Sequence, residues 1–194
     1  MRWMDAGEFE QVLDGARRGD EASFATLWRA FNPPLLRFLT TLADGDDAAE
    51  VASTVWLEVV RGLDGFAGDE AGFRAWLFTK ARSRLIDLRR ARRRRPARSS
   101  EHDEADRRPG AAPDPAAVLD DAFSTEAALA LIGTLPPDQA EVLLLRVVAD
   151  LDVATVAAMT GKRPGTVRVL AHRGLRRLAK QLGVDEKRIE DVTR

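Results

Sequence analysis

Two clusters of basic side chains are the residues in this sequence whose types and spacing could act chemically on a partner molecule. Nine lysines and arginines lie between Thr79 and Arg95, against a single acid, Asp87. A second run, Lys162–Lys180, has seven lysines and arginines and no acid. Cationic groups at this density neutralise phosphates, so both runs predict contacts with nucleic acid. Solvated helix ends, or a targeting signal in the first run, are the alternatives.

The residue types needed for catalysis or metal binding are scarce. Cysteine is absent, and the only two histidines, His102 and His172, are far apart in sequence. These counts argue against a thiolate zinc site, a histidine metal site and a catalytic triad. A cluster of carboxylates lies between Asp44 and Glu50, but helix capping explains it. We therefore expect no enzyme activity, no catalytic residue, no metal and no cofactor.

The bulk composition limits the class of protein. The 194 residues have a formal net charge of −1, because 31 acidic side chains offset 30 basic ones, and 45% of them are hydrophobic. Such a chain can bury one ordinary core or two small ones. No apolar run approaches the ~20 residues of a membrane helix, and the first residues do not have the pattern of a signal peptide. We expect a cytoplasmic protein without membrane insertion.

The elements that must position the basic clusters are predicted to be helices, and we expect an all-α protein. Apolar residues recur at helical spacing in five stretches: Phe9–Ala16, Phe24–Phe31, Leu35–Leu42, Ala52–Leu63 and Phe73–Leu88. Asp20 and Asp69 are predicted N-caps, and Gly19 is a predicted helix stop. Pro33 and Pro34 are predicted to break or restart the second helix.

The chain is predicted to fold as two small helical domains. Residues 96–114 have no apolar periodicity and indicate a flexible, acidic linker between domains at 1–95 and 115–182, with a tail at 183–194. The 19 linker residues can span at most ~65 Å. The sign of the charge therefore alternates by segment, since an acidic linker separates two basic runs.

The most specific pattern lies in the second domain and reads "DLDVATVAAMTGKRPGTVRVLAHRGLRRL". A short helix at Val153–Met159, a tight turn at Thr160–Lys162 and a second helix from Pro164 predict a helix-turn-helix. Arginine on the second helix can pair with guanine edges or hold phosphates. The predicted DNA-facing residues are Arg163, Thr166, Arg168, His172, Arg173 and Arg176. An antiparallel helix pair with a solvated basic face is the alternative.

The first basic run follows a glycine-containing loop with an aromatic side chain. Aromatic rings beside a cationic track suit unpaired bases, which stack on them. Phe66, in the loop, is predicted to be exposed, whereas Phe73 and Trp76 are predicted to belong to the core. The candidate nucleic-acid contacts of this region are Phe66, Lys80, Arg82, Arg84, Arg89 and Arg90.

The ordered set of patterns resembles the extracytoplasmic-function (ECF) sigma factors, small two-domain bacterial transcription initiation factors. The similar stretches are "DEASFATLWRAFNPPLLRFL", "DDAAEVASTVWLEVVRGLDGF", "FRAWLFTKARSRLIDLRRARRRR" and "LPPDQAEVLLLRVVADLDVATVAAMTGKRPGTVRVLAHRGLRRL". Together they cover roughly residues 10–95 and 115–182. The helix-turn-helix is shared with other regulators, and the ordered set is much more specific.

The resemblance implies a promoter-recognition subunit that binds core RNA polymerase and promoter DNA. The helix from Pro164 would read the −35 element, and the region of Phe66 and Lys80–Arg95 would bind the −10 element and hold a flipped-out base. The polymerase would be bound through the clamp helices of its β′ subunit and through its β subunit. The residues implied in docking are Asp47, Glu50, Ser53, Thr54 and Trp56. The family also implies control by an anti-sigma factor, and a linker that threads the polymerase channel or serves as a tether.

The sequence departs from the family pattern in the docking helix and in the recognition helix, where Val169-Leu170 is also more apolar than the commoner polar pair. Glu50, Ser53 and Thr54 stand where the family often has an acidic residue followed by Gln and Glu, and Arg163-Pro164 stands where it usually has Ser. The alternative function is a helix-turn-helix transcriptional regulator with an N-terminal helical sensing or dimerisation domain. These two functions can be distinguished by testing whether the protein enables core polymerase to start transcription.

Overall fold

A computed structural model of the chain describes residues 3–43, 47–94 and 125–183. These residues form α-helices and one 3-10 turn at Leu63–Gly65, with no strand among them. The helices are α1 (Ala6–Arg17), α2 (Glu21–Leu42), α3 (Asp47–Gly62), α4 (Glu70–Arg94), α5 (Thr125–Gly133), α6 (Pro137–Val147), α7 (Val153–Thr160) and α8 (Pro164–Gln181). The all-α prediction is confirmed. The predicted linker at 96–114 and the tail beyond residue 183 lie outside the described residues.

The predicted helix starts in the first half are confirmed. The Asp20 carboxylate accepts a hydrogen bond from the Ser23 backbone N–H at 2.9 Å, and Asp69 accepts one from the Gly72 N–H at 2.8 Å. Each bond satisfies one of the N–H groups that a helix leaves without a partner in its first turn. Gly19, with φ of +80°, ends the turn after α1 as predicted.

The prediction that Pro33 and Pro34 interrupt the second helix is wrong. The α2 helix has 22 residues and runs through both prolines. A proline inside a helix removes one backbone hydrogen bond and crowds the preceding turn. Here the flanking side chains of Phe31, Leu35 and Phe38 are completely buried. Their packing keeps the helix continuous although the prolines remove backbone hydrogen bonds.

The first four helices share a core rich in phenylalanine. Phe31 of α2 meets Phe73 of α4 with ring centroids 4.8 Å apart, and Phe38 meets Phe78 at 5.3 Å, both edge to face. All four rings are fully buried. Edge-to-face pairs stabilise a core beyond the area they bury. This core fixes α4, and therefore the first basic run, against α2.

The helices after residue 124 enclose a second group of buried side chains around α6. Leu144, Leu145 and Val167 are fully buried. The α8 helix approaches α6 closely at Gly174, where an added Cβ would lie 2.7 Å from Leu143 Cδ1. The turn between α7 and α8 contains Gly161 at φ +67°, in the left-handed region that favours glycine. The predicted helix-turn-helix is thus formed.

The two groups of helices pack against each other. The α2 helix contacts both α5 and α6, and the buried Arg74 of α4 reaches the loop before α7. Its guanidinium donates to the Asp150 carbonyl at 2.8 Å and to the Asp150 carboxylate at 2.9 Å. Glu70, one turn before Arg74, lies 3.1 Å from the guanidinium Nε. Burial raises the pKa of Glu70, and the charge of Arg74 partly opposes that rise.

No helix within residues 3–43, 47–94 and 125–183 combines the length and apolar character that crossing a bilayer requires. Over the same residues, the acidic, histidine and cysteine side chains do not form a group of three that could hold a metal ion.

Candidate nucleic-acid interface

The second helix of the helix-turn-helix presents a basic face. Val167 is fully buried, while Leu170, Leu175 and Leu178 are half-buried and pack on the core. The opposite side is left exposed, and it includes every residue predicted to face DNA: Arg163, Thr166, Arg168, His172, Arg173 and Arg176. Arg168, His172 and Arg176 are spaced at i, i+4 and i+8 and so form one stripe along α8.

One exposed residue of this face was not among the residues predicted to face DNA. Val169 is 47% exposed, next to Arg168. An apolar side chain amid cations can contact the methyl group of thymine in the major groove. The signal for Val169 was present in the sequence, because the residue falls off the buried stripe of Val167, Leu170 and Ala171.

Local hydrogen bonds hold the two helices of the motif in place. The Asp152 carboxylate caps α7 by accepting from the Thr155 backbone N–H at 2.8 Å and from its hydroxyl at 2.9 Å. These bonds, the backbone one first, lower the pKa of Asp152. Lys162, in the turn, lies 3.2 Å from the Asp138 carboxylate of α6. Pro164 begins α8, which leaves the N–H groups of its first turn available for a phosphate.

The cations of α4 do not lie on a single surface. Successive residues turn by about 100° around a helix axis, which places Lys80 and Arg84 on one edge of the buried stripe. Arg82 and Arg89 lie on the opposite edge. We call these pairs the Lys80 edge and the Arg82 edge. Arg90 is exposed and lies between the edges, on the side away from the core. The predicted contacts are therefore divided between two sides of the helix.

A carboxylate of α3 occupies the Lys80 edge. Glu58 accepts hydrogen bonds from the Arg84 guanidinium, and its second oxygen lies 3.7 Å from the Lys80 ammonium. The Lys80 ammonium also lies 4.8 Å from the centre of the Trp76 ring, a cation–π contact. Lys80 and Arg84 are thus held side by side by one acid and one aromatic ring.

The Arg82 edge meets other parts of the chain. Arg82 donates to the Glu141 carboxylate of α6 at 3.0 Å, and Arg89 donates to the Leu42 carbonyl at the end of α2 at 2.6 Å. Further along, Arg92 pairs with Asp47, the first residue of α3. Carboxylates from α3 and α6 therefore neutralise part of the first basic run, and the sequence could not reveal these pairs.

Phe66 is less accessible than predicted. Its ring is half-buried, stacks on Trp76 at 5.2 Å and meets Phe73 edge to face at 5.5 Å. The guanidinium of Arg17 donates to its backbone carbonyl. The loop folds back because the rings at the start of α4 offer apolar surface to cover. Phe73 is core as predicted, whereas Trp76 is only half-buried.

The residues predicted to dock on polymerase are split by the fold. Glu50 and Ser53 are exposed on α3, and Thr54 is half-buried with its hydroxyl donating to the Glu50 carbonyl. Trp56, also predicted to dock on polymerase, is buried in the core and only 7% exposed. Its indole N–H donates to the Asn32 side-chain oxygen at 2.9 Å. Tryptophan buries a large ring most favourably when its N–H finds such a partner.

Two apolar residues complete the exposed face of α3. Leu57 is 55% exposed and Val60 is 53% exposed. They follow Glu50 and Ser53 at helical spacing, so we call Glu50, Ser53, Leu57 and Val60 the α3 face. Adjacent exposed aliphatic side chains are typical of surfaces that bind another protein. The sequence analysis missed both residues, although neither belongs to the buried stripe.

Comparisons with known proteins match both halves of the chain. Residues 27–95 match the family model for Sigma-70 region 2, and residues 125–178 match Sigma-70, region 4. The chain is 35% identical over 134 residues to the ECF RNA polymerase sigma factor ShbA of Streptomyces griseus, which covers 66% of the chain and 68% of ShbA. It is 28% identical over 188 residues to BldN of Streptomyces coelicolor, another ECF RNA polymerase sigma factor, covering 94% of the chain and 69% of BldN.

Two solved structures share the fold. CnrH, in complex with the cytosolic domain of CnrY, aligns over 92% of the chain and 99% of CnrH with a TM-score of 0.58 and 21% identity. The sigma factor RpoE of Bartonella quintana, in complex with the anti-sigma factor NepR, aligns over 84% of the chain and 98% of RpoE with a TM-score of 0.61 and 20% identity.

Proposed function

The chain belongs to the ECF RNA polymerase sigma factors, and from this premise we propose which of its faces recognise the promoter and which bind the polymerase. As a sigma factor it binds core RNA polymerase and directs transcription initiation. Sigma factors are non-catalytic initiation factors, in keeping with the scarcity of catalytic residue types. The observation that carries this function is the presence of region 2 and region 4, in that order, on one chain.

The basic face of α8 is the proposed reader of the −35 element. Arg168, His172 and Arg176 form its central stripe, Val169 lies among them, and all are exposed. A helix with this side-chain set fits the major groove, where arginine pairs with guanine and aliphatic groups contact thymine. We assign Arg163 and Thr166, at the start of α8, to contacts with the DNA backbone.

The region around α4 is the proposed site of −10 element binding and melting. Its cations are Lys80, Arg82, Arg84, Arg89 and Arg90, and they would neutralise phosphates on either side of the helix. Phe66 stacks on Trp76. An unpaired base could replace one ring of this stack, because base–aromatic stacking stabilises single strands by about 1–3 kcal/mol per base.

The α3 face is the proposed polymerase-docking surface. Its two exposed aliphatic side chains, Leu57 and Val60, supply apolar area, and Glu50 and Ser53 supply a polar border. Thr54 lies beside this face and Asp47 begins its helix. Trp56 supports the face from the core through its hydrogen bond to Asn32. The proposed partner surface is the pair of clamp helices of the β′ subunit, with further contacts to the β subunit.

The remaining proposals concern organisation and control. We assign residues 1–95 to the domain that docks on polymerase and binds the −10 element, 96–114 to a linker, and 115–182 to the −35-binding domain. An anti-sigma factor is the proposed regulator, as RpoE of Bartonella quintana is bound by NepR. The proposed location is the cytoplasm, where bacterial RNA polymerase transcribes.

The proposed function is tested by reconstituted transcription. Core RNA polymerase is mixed with the protein and a library of genomic fragments, and transcripts that depend on the added protein are sequenced. We expect new, discrete start sites. Tight binding of the isolated protein to duplex DNA without any initiation would instead support the alternative helix-turn-helix regulator.

A pair of α8 variants then tests how the −35 element is read. Arg168→Ala should reduce initiation at those start sites by about tenfold or more, since a bidentate arginine–guanine pair contributes about 1–3 kcal/mol. Arg177→Ala is the matched control, because Arg177 is an exposed arginine of the same helix, nine residues after Arg168 and so about half a turn around the helix axis from it. Equal losses in the two variants would contradict base reading by Arg168.

A further inference from the structure

The cations of α4 are held by carboxylates of the same chain, and we propose that Glu58 and Glu141 mask Lys80, Arg82 and Arg84 in the free protein. Each carboxylate engages cationic N–H groups that a DNA phosphate would otherwise contact. The mask would keep the affinity of the free chain for DNA low until the polymerase complex forms. This inference rests on the proposed role of α4 in promoter binding.

Glu58 covers the Lys80 edge. Its carboxylate engages Lys80 and Arg84, which are one turn apart, so a single acid offsets two cations. Glu58 is only 21% exposed, and Lys80 is 23% exposed. Partial burial weakens screening by salt, so such a pair competes with phosphate better than a fully solvated pair would. Glu58 also lies one turn after Thr54, at the border of the α3 face.

Glu141 covers the Arg82 edge from a different part of the chain. Glu141 belongs to α6, in the group of helices that follows residue 124. Its Oε1 atom lies 3.0 Å from the Arg82 Nε. Both side chains are largely buried where α4 meets α6. The contact beside it, between Arg74 and Asp150, fastens the same interface. The Arg82 mask therefore exists only while the two groups of helices are packed together.

Binding to both promoter elements requires this packing to open. The α4 helix packs on α2, α2 contacts α6, and α6 packs on α8, so at 8–10 Å between packed helix axes α4 and α8 lie within about 30 Å of each other. Promoter elements a turn and a half apart are separated by about 50 Å along B-DNA. The helices cannot reach both elements in the packed arrangement. Separation would remove Glu141 from Arg82 at the moment when Arg82 is needed.

The mask predicts a specific change in salt dependence. When a DNA phosphate replaces a carboxylate, the freed carboxylate takes up a cation from solution. This uptake cancels part of the release of cations from DNA that drives binding. Removal of the carboxylate charge should therefore raise affinity and steepen the salt dependence together. A change in protein stability alone would not steepen that dependence.

The test uses Glu58→Gln, Glu141→Gln and the double variant of the full chain, without polymerase. The probe is a fluorescent mixed-sequence duplex of about 30 base pairs, titrated at several salt concentrations. We expect each variant to bind about threefold to tenfold more tightly. The logarithmic salt slope should steepen by about one ion for each charge removed. In the double variant, the increases in affinity and in salt slope of the two single variants should add.

Two controls make the result specific. Glu10→Gln removes one negative charge from the exposed side of α1 and should leave affinity and slope unchanged. Glu58→Gln should also have no effect when Lys80 and Arg84 are both replaced by Gln, because the mask then has nothing to cover. Equal behaviour of Glu58→Gln, Glu141→Gln and Glu10→Gln would overturn the proposal.

The outcome is distinguishable from a failure of the proposed function. Initiation by the wild-type protein with core polymerase reports on the sigma role alone. If no start sites appear while the Gln variants bind DNA more tightly, the mask stands and the assigned promoter role is wrong. If initiation occurs but the variants bind DNA like wild type, the promoter role stands and the mask is wrong.

Discussion

Trp56 is buried, yet it determines which side chains of α3 are exposed. Its ring packs edge to face on Phe24 at 5.8 Å, and its N–H satisfies the buried oxygen of Asn32. A buried amide oxygen without a donor would cost free energy, so this bond ties α3 to α2 at a defined rotation. That rotation is what leaves Leu57 and Val60 pointing outward.

Replacement of the indole should therefore destabilise the protein through its hydrogen bond. We expect Trp56→Phe to lower the free energy of unfolding by about 1–3 kcal/mol, because Asn32 loses its donor and a smaller ring leaves space. Urea denaturation followed by circular dichroism measures the change. Trp28→Phe is the control, since Trp28 is 45% exposed on α2, and should shift stability by less than about 0.5 kcal/mol. Equal midpoints for the two variants would refute this role of Trp56.

At the scale of elements, each helix of the helix-turn-helix has a physical reason to begin where it does. The α7 helix begins after Asp152, whose carboxylate caps it, and α8 begins at Pro164, whose fixed φ suits a first turn. Gly161 and Gly174 permit the tight turn and the close approach to α6. Together these features fix the orientation of α8 and of the arginines on its exposed face.

The cap on α7 predicts a pH-dependent contribution to stability. The pKa of Asp152 is lowered from its usual value of 3.8, mainly by the Thr155 N–H. A lowered pKa in the folded protein stabilises it above the unfolded value, and that stabilisation is lost as pH falls through the folded pKa. Asp152→Ala should thus cost about 1 kcal/mol at neutral pH.

The measurement is the free energy of unfolding of Asp152→Ala and wild type from neutral pH down to acid. The difference should be constant well above pH 3.8 and should shrink at lower pH as the wild-type carboxylate becomes protonated. Glu10→Ala, on the exposed side of α1, serves as a control without a capping role. A difference that persists unchanged into acid would show that the charge of Asp152 is not what caps α7.

At the scale of the whole molecule, the helices before and after residues 95–124 share one hydrophobic core and several polar contacts. Arg74 binds Asp150 and Ala149, Arg82 binds Glu141, and α2 meets α5 and α6. The proposed promoter spacing requires these two groups of helices to separate on DNA, so binding there must overcome this interface.

This separation can be measured by energy transfer between two dyes. The chain has no cysteine, so Ser83→Cys on α4 and Arg177→Cys on α8 provide two exposed attachment sites. Transfer should be efficient in the free protein, where the helix axes lie within about 30 Å of each other. It should fall in the complex with core polymerase and promoter DNA, where the proposed sites lie about 50 Å apart. Unchanged transfer efficiency would exclude opening.

The sequence by itself determined the helices, the helix-turn-helix and the family. Caps, helical periodicity and turn residues act over four residues or fewer, so Asp20, Asp69, Gly161 and Pro164 could be assigned from local pattern alone. The exposed set on α8 followed from the same periodicity, because one buried stripe leaves the remaining positions outward.

Only the tertiary structure decided which helix faces are available and which charges are already paired. The continuity of α2 through Pro33 and Pro34, the burial of Trp56 and the stacking of Phe66 all depend on residues distant in sequence. The pairing of Glu58 and Glu141 with the cations of α4 likewise joins positions 26 and 59 residues apart. Local pattern cannot encode such contacts, because long-range packing selects the neighbours of each side chain only after the chain has folded.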